Sequence, residues 1–209
     1  FSWSITVSSE TAIVRSRAVA IVVCVSFEHG IAVYSAHLPL DIHPEVGNNV
    51  VLARELGIEV RGWFSDYRGV DLGVWGELEL TREALLARLD ELLGVRVHLL
   101  PGGRERLRTV GVITGAGGDR IEDAIAAGLD ALVTGEGAHH TYFDAVEGGI
   151  NVYYAGHYAT ETWGVRALAA HPYDRFGIPS DFLDLPTGSI PRSVRRARQE
   201  AESDPGVLL

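Results

Sequence analysis

Four side chains combine residue type and spacing in a way that could do chemistry. His37 is followed four residues later by Asp41, and His157 is followed four residues later by Glu161. Imidazole with carboxylate is a donor set for zinc, manganese, iron or a similar divalent ion. Both pairs sit in the same local text. GIAVYSAHLPLD over Gly30 to Asp41 and GINVYYAGHYATE over Gly149 to Glu161 each begin Gly-Ile, continue through Val-Tyr and Ala, and reach a histidine. Read as an internal repeat, this is one supersecondary unit used twice, with two histidines and two carboxylates facing one cleft. The alternative is two ordinary strand-to-loop exits with polar rims.

The elements that would position these groups follow from the pattern on either side. Ile150 to Ala155 is β-branched and aromatic and predicts a buried strand ended by Gly156. Thr160 is the expected N-cap of a helix that carries Glu161 in its first turn and Val165, Leu168 and Ala169 on its apolar face. In the earlier copy, Ile31 to Ala36 is the expected strand, His37 to Asp41 a loop stiffened by Pro39, and Asn48 to Leu56 a helix closed by Gly57.

Between the two copies, 58–72 is mixed, with Trp63, Phe64 and Tyr67 expected to pack. Leu78 to Leu80 is a short strand, and Thr81 caps an amphipathic helix to Leu93. Val95 to Leu100 and Thr109 to Ile113 are strands. The glycine-rich run Thr114 to Gly118 opens a helix from Asp119 to Ala127. Such a loop can cradle phosphate or be a tight turn capped by Asp119, and without a P-loop lysine both readings stand. Ala131 to Val133 is a further strand, leading to His139 and His140, of which at most one faces the cleft, and to a helix ending at Val146. Arg175 to Leu185 adds a last βα-type segment.

Alternating strands and helices give an α/β class. The expected organisation is a first lobe over 1–72, atypical or truncated over 1–29; a strand-helix-strand connection over 73–108; a second lobe over 109–188; and a mobile tail over 189–209. With 209 residues and 46% hydrophobic content the chain can bury a real core. A net charge of −10 argues against nucleic acid as the main partner, because phosphate binding needs a basic face. The single Cys24 leaves no intramolecular disulfide and fits a reducing, cytoplasmic setting. The apolar run at 18–25 is too short for a membrane span, which needs roughly 18 residues or more. The chain opens on Phe1 and has no methionine, which suggests a fragment.

AHLPLD at 36–41, GNN at 47–49, TGE at 134–136 and GHYATE at 156–161 together resemble the Nif-three-like family, also called type 2 GTP cyclohydrolase I homologues. The resemblance runs from about Gly30 to Gly188. It implies a two-lobed α/β protein with a dinuclear metal site in the cleft, assembled as a hexamer, and metal-dependent hydrolysis of a small molecule that could be a nucleotide. Carried over, the implied metal ligands are Asp41, His157 and Glu161, with Glu161 bridging two ions. His37 and His139 match positions lining the cleft and are expected to face substrate as catalytic groups. The family's two adjacent N-terminal histidines have no match, since 1–29 contains only His29. The expectation is therefore an incomplete site that holds divalent ions weakly, with a metal-containing binding or regulatory module as the alternative function.

Overall fold

The computed structural model describes residues 17–32 and 36–186. The chain divides into two compact units, 1–36 and 37–209. In the first, helix α1 spans Arg17–Glu28. It decides between the strand and helix readings of 13–25 in favour of helix where the chain is described. Ile31, Ala32 and Ala36 carry no regular structure, and 33–35 lie outside the described residues. The strand expected over 31–36 is therefore not found where it can be seen. Ile31 is exposed and has no ladder partner, so its β propensity has nothing to pack on.

The second unit begins with a one-turn helix, α2 (Leu38–Asp41), where a loop was expected. Pro39 lies in its first turn, where the missing N–H costs nothing. Helix α3 (Asn48–Glu55) follows, and Gly57 at φ 74° closes it as anticipated. Strands β1 (Glu59–Tyr67) and β2 (Val70–Thr81) then form a long antiparallel hairpin. Its two-residue turn, Arg68 and Gly69, has φ of 57° and 85°, the double positive φ that a tight hairpin requires. This hairpin replaces the mixed segment and the short 78–80 strand. The glycines at 62, 69, 73 and 76 had hidden its alternation.

Helix α4 (Arg82–Leu93) is capped by the Thr81 hydroxyl, which accepts from Ala84 N at 3.1 Å, and it ends at left-handed Gly94. Strands β3 (His98–Pro101), β4 (Arg106–Ile113), β5 (Ala131–Thr134) and β6 (Asn151–Tyr154) complete a six-stranded sheet in the order β1-β2-β4-β5-β6-β3. The central β4, β5 and β6 are parallel, and the flanking pairs are antiparallel. Because β2 pairs with β1 on one side and β4 on the other, one sheet crosses the boundaries expected at 72 and 108. The α/β class is as expected.

Alternation along the strands divides the core. Val110, Val112, Ala131, Val133 and Tyr153 pack with Leu52 and Leu56 of α3 and Leu85 and Leu89 of α4. Ile113, Leu132 and Val152 pack with Ile121 and Ala124 of α5 (Ile121–Ala126) and Ala145 of α6 (Thr141–Gly148). Of the expected aromatics, Phe64 is buried, Trp63 packs at the core margin, and Tyr67 receives the Arg120 guanidinium 5.5 Å from its ring. Helix α7 (His157–Phe176) follows β6. It runs through Pro172 to left-handed Gly177, so helix occupies part of the last expected βα segment and 177–186 is irregular. The tail expected at 189–209 lies outside the described residues. No helix among the described residues is long and apolar enough to cross a membrane.

Candidate metal centre

The three parallel strands end at one edge, and each exit carries a glycine within its first two residues. Residues 114–118 leave β4, 135–137 leave β5, and Ala155 and Gly156 follow β6. The loops lock together through their backbones. Glu136 N donates to Gly115 O at 2.9 Å, Gly118 N to Glu136 O at 3.1 Å, and Gly156 N to Gly135 O at 2.9 Å. A Cβ on Gly135 would meet Gly115 O at 2.5 Å and His157 Cα at 2.8 Å, so only glycine allows this approach. Gly115 adopts φ 70°, and a side chain there would occupy the place of the Glu161 carboxylate. The glycine-rich run is thus a floor beneath Glu161.

Helix α7 starts at His157, three residues before the cap expected at Thr160. Thr160 is fully buried. Its hydroxyl accepts from Gly115 N at 3.0 Å and lies 3.0 Å from the carbonyls of Gly156 and His157, tying the helix start to the floor. With the helix beginning at His157, four-residue spacing puts His157 and Glu161 on one face. His157 Nε2 lies 3.1 Å from Glu161 Oε2, and its Nδ1 lies 2.9 Å from Glu136 Oε1. The imidazole is thus held between two carboxylates.

Asp41 reaches the site from α2. Asn48 at the start of α3 fixes it there, and the adjacent Asn49 ties α3 to the sheet. Asn48 Nδ2 donates to Asp41 Oδ1 at 2.8 Å, and Asn48 Oδ1 accepts from Gly164 N of α7 at 2.6 Å. Asn49 Oδ1 accepts from Thr114 N at 2.7 Å, and its amide donates to Leu72 O at 2.7 Å. One buried dipeptide therefore joins α2, α7, β2 and the end of β4.

Burial pushes the Asp41 carboxyl above its usual range, against the opposing effects of the Asn48 hydrogen bond and the His37 and His157 imidazoles. Burial also raises Glu161. The His157 imidazole opposes that rise and the Asp41 charge adds to it. For His157, burial acts downward, but the Glu136 hydrogen bond and the Glu161 and Glu136 charges outweigh it and raise the imidazole. Two partly buried carboxylates, both held above their usual range beside an imidazole, form a donor set that a divalent cation would neutralise. In its chemistry the set fits such an ion. It is not drawn together to ligation distance: among the described residues no three His, Cys, Asp or Glu side chains are grouped so as to hold one ion.

His37 Nε2 stands 3.8 Å from Asp41 Oδ2, with its side chain 73% exposed. His139 is exposed on the loop before α6, and no hydrogen bond or ion pair among the described residues joins its side chain to the cluster. His140, not His139, lines a hollow of about 330 Å³ with Ala116, Gly118, Asp119, Glu136 and Thr141. Sequence reasoning gave no role to Glu136 or Asn48, and to Thr160 only that of an N-cap. The first two lay inside the short TGE and GNN runs, and polar residues next to glycine at strand exits were the available signal.

The family model described as Duf34/NIF3 (NGG1p interacting factor 3) matches residues 7–180. The chain belongs to the Duf34/NIF3 family. The match starts well before Gly30, so the segment expected to lack family character is largely within it. A GTP cyclohydrolase 1 type 2 homolog of Deinococcus radiodurans is 47% identical over 157 residues, 74% of this chain and 60% of that protein. The homolog of Archaeoglobus fulgidus is 42% identical, over 75% of this chain and 63% of that protein. This NIF3 chain thus spans about three fifths of the length of these curated relatives. Among solved structures, the ybgI protein, described as of unknown function, superposes with a TM-score of 0.78 at 32% identity, over 90% of this chain and 74% of that one. A Thermus thermophilus protein gives 0.69 at 42% identity, over 79% and 65%.

Proposed function

We propose that the chain is a metal-dependent hydrolase-like NIF3 protein whose Asp41, His157 and Glu161 hold divalent ions at the edge of the parallel strands. The observation that carries this reading is the contact of His157 with Glu161 on the glycine floor, with Asp41 close enough to raise the Glu161 proton affinity. A bound zinc, manganese or iron ion would supply Lewis acidity and a water acidic enough to attack near neutral pH. Glu161, Asp41 and His157 would hold it, and Asn48 occupies one Asp41 oxygen, leaving the other free for the ion. His37, exposed beside Asp41, accepts or returns a proton at its ring nitrogen, and substrate approaches from its side. The neighbouring hollow is at the small end of ligand pockets, which run from about 300 to 1,000 Å³.

A small-molecule substrate, of nucleotide class if this chain acts as its relatives are named, belongs to the same reading, as do a homo-hexamer and a cytoplasmic setting. His139 is kept as a substrate-facing group only if its loop moves. The wide spacing of the donors supports a second reading, a metal-containing binding or regulatory module without turnover. Equilibrium dialysis of the full chain against Zn²⁺ or Mn²⁺ tests the site. Glu161→Ala should abolish binding, and His140→Ala should leave it unchanged. Equal binding by Glu161→Ala and the parent chain overturns the assignment. Turnover of GTP or a phosphoester by the loaded chain separates the hydrolase from the binding module.

A further inference from the structure

We infer that Glu136 is a positioning residue that fixes the ring orientation and tautomer of His157, leaving Nε2 as the nitrogen offered to a cation. This rests on the metal-site reading above. An imidazole on the first turn of a helix can rotate about its side-chain bonds and can carry its neutral-state proton on either nitrogen. Glu136 removes both freedoms. Its Oε1 lies 2.9 Å from His157 Nδ1, the shorter of the ring's two carboxylate contacts; with the proton on Nδ1 shared with Glu136, Nε2 is left directed toward Glu161, 3.1 Å away.

The Glu136 side chain is itself 60% exposed, so packing does not hold it. Its backbone does. The N–H of Glu136 is bound to Gly115 O and its carbonyl to Gly118 N, both on the loop that floors Glu161. Gly135 before it and Gly137 after it stand where a side chain would strike Gly115 O and the Tyr154 hydroxyl. The carboxylate is therefore delivered from a backbone locked to the same floor that seats the opposite partner of the ring. A carboxylate behind a ligating imidazole raises the basicity of its other nitrogen, and losing such a partner costs about 10- to 100-fold in metal affinity.

The test uses the full chain labelled with ¹⁵N at the histidine rings, the His157 signals being identified by their loss in His157→Gln. In metal-free protein above the His157 pKa, the parent chain should give shifts of the Nδ1–H tautomer. Glu136→Ala should move them toward the mixed or Nε2–H form, and Glu136→Gln, whose amide oxygen can accept the same hydrogen bond, should restore them. Zn²⁺ affinity, measured by competition with a chromophoric chelator, should fall about 10- to 100-fold in Glu136→Ala and recover in part in Glu136→Gln. Parent-like His157 shifts in Glu136→Ala overturn the inference whatever the affinity. A parent chain that binds no Zn²⁺ overturns the metal-site reading, while the tautomer shifts still decide whether Glu136 positions the ring.

Discussion

His37 and Asp41 stand at the two ends of a single helical turn that contains Pro39, whereas His157 and Glu161 stand on the first turn of a 20-residue helix seated on three interlocked loops. In the first pair the atoms are 3.8 Å apart and the imidazole is largely in water. In the second, one imidazole is gripped at 2.9 and 3.1 Å on its two nitrogens. The spacing is the same, and the difference comes from what lies beneath. Behind His157 and Glu161 are Gly115, Gly135 and Thr160, backbone and hydroxyl groups that cannot move without breaking the parallel strands' exits. Asp41 has a single side-chain anchor, Asn48, and His37 has none among the described residues. Spacing nominates a pair, but rigid support determines whether it becomes a site.

If that support governs the comparison, removing Asn48 should collapse the first pair most. Asn48→Ala strips one hydrogen bond from the buried Asp41 carboxyl and removes the side-chain acceptor of the buried Gly164 N–H in α7. A hydrogen bond to a charged group contributes about 1.5–3 kcal/mol, and a buried unpaired donor costs about 1–3 kcal/mol, so a loss of about 3 kcal/mol is expected in urea denaturation. A loss below about 1 kcal/mol would mean water replaces the amide and the dipeptide is no anchor. The same contact can be tested from its other side. A Cβ at Gly164 would meet Asn48 Oδ1 at 2.8 Å and Asn48 N at 2.9 Å. Gly164→Ala should cost about 1–3 kcal/mol by pushing α7 off α3, despite the better helix propensity of alanine. Unchanged or increased stability would show that α7 shifts freely.

Charge sharpens the comparison at smaller scale. The folded protein holds protons on Asp41 and Glu161 more tightly than the unfolded chain does, so their contribution is favourable in acid and is lost as pH rises through their raised values, from about 4 upward. His157 is also raised; its contribution is complete below about 6.5 and is lost as pH climbs through its folded value. The metal-free protein should therefore become less stable from mildly acid to just above neutral pH. Asp41→Asn removes one of these buried charges while its amide oxygen still accepts from Asn48. At pH 7.5 it should gain about 0.5–2 kcal/mol in the metal-free state and lose Zn²⁺ binding, the exchange expected where a functional charge strains the fold. A less stable Asp41→Asn would mean that the ionised carboxylate is already well compensated.

Much of this was legible in the sequence. Thr81 and Gly94 bound α4, Gly57 ends α3, and the β-branched run before Gly156 is β6, because caps and buried strands depend on local residue chemistry. The β1–β2 hairpin was not legible. Its glycines at 62, 73 and 76 exist to let Trp75, Phe64 and the Glu59 backbone approach, so they read as turns when they are close-packing positions. The floor and the Asn48–Asn49 bracket were equally hidden. Asn48 touches Gly164, 116 residues away, and no local pattern encodes a contact made only by the fold. His139 was preferred to its neighbour on the family resemblance alone, since no local pattern shows which histidine the α6 entry places beside the hollow, where His140 lies.

The smallest effect is expected at His37, and it tests whether the weaker pair matters for the fold at all. Its ring lies 3.8 Å from Asp41 and is 73% exposed, conditions under which an ion pair contributes about 0–1 kcal/mol. Asp41 does not depend on it for position, because the Asn48 amide holds the other carboxylate oxygen at 2.8 Å. The α2 turn does not depend on it either, since His37 offers that turn its backbone carbonyl, which accepts from Leu40 N at 2.8 Å and Asp41 N at 3.1 Å. His37→Ala keeps that carbonyl. Stability should therefore stay within about 0.5 kcal/mol of the parent chain, as for ordinary surface changes. Zn²⁺ affinity should stay within about threefold, which corresponds to roughly the same energy. Any turnover the loaded chain possesses should nevertheless fall, because a proton-handling ring would be gone from the approach to the site. A tenfold loss of Zn²⁺ affinity in His37→Ala would show instead that His37 is a ligand, and the two pairs would then be equal partners in one centre.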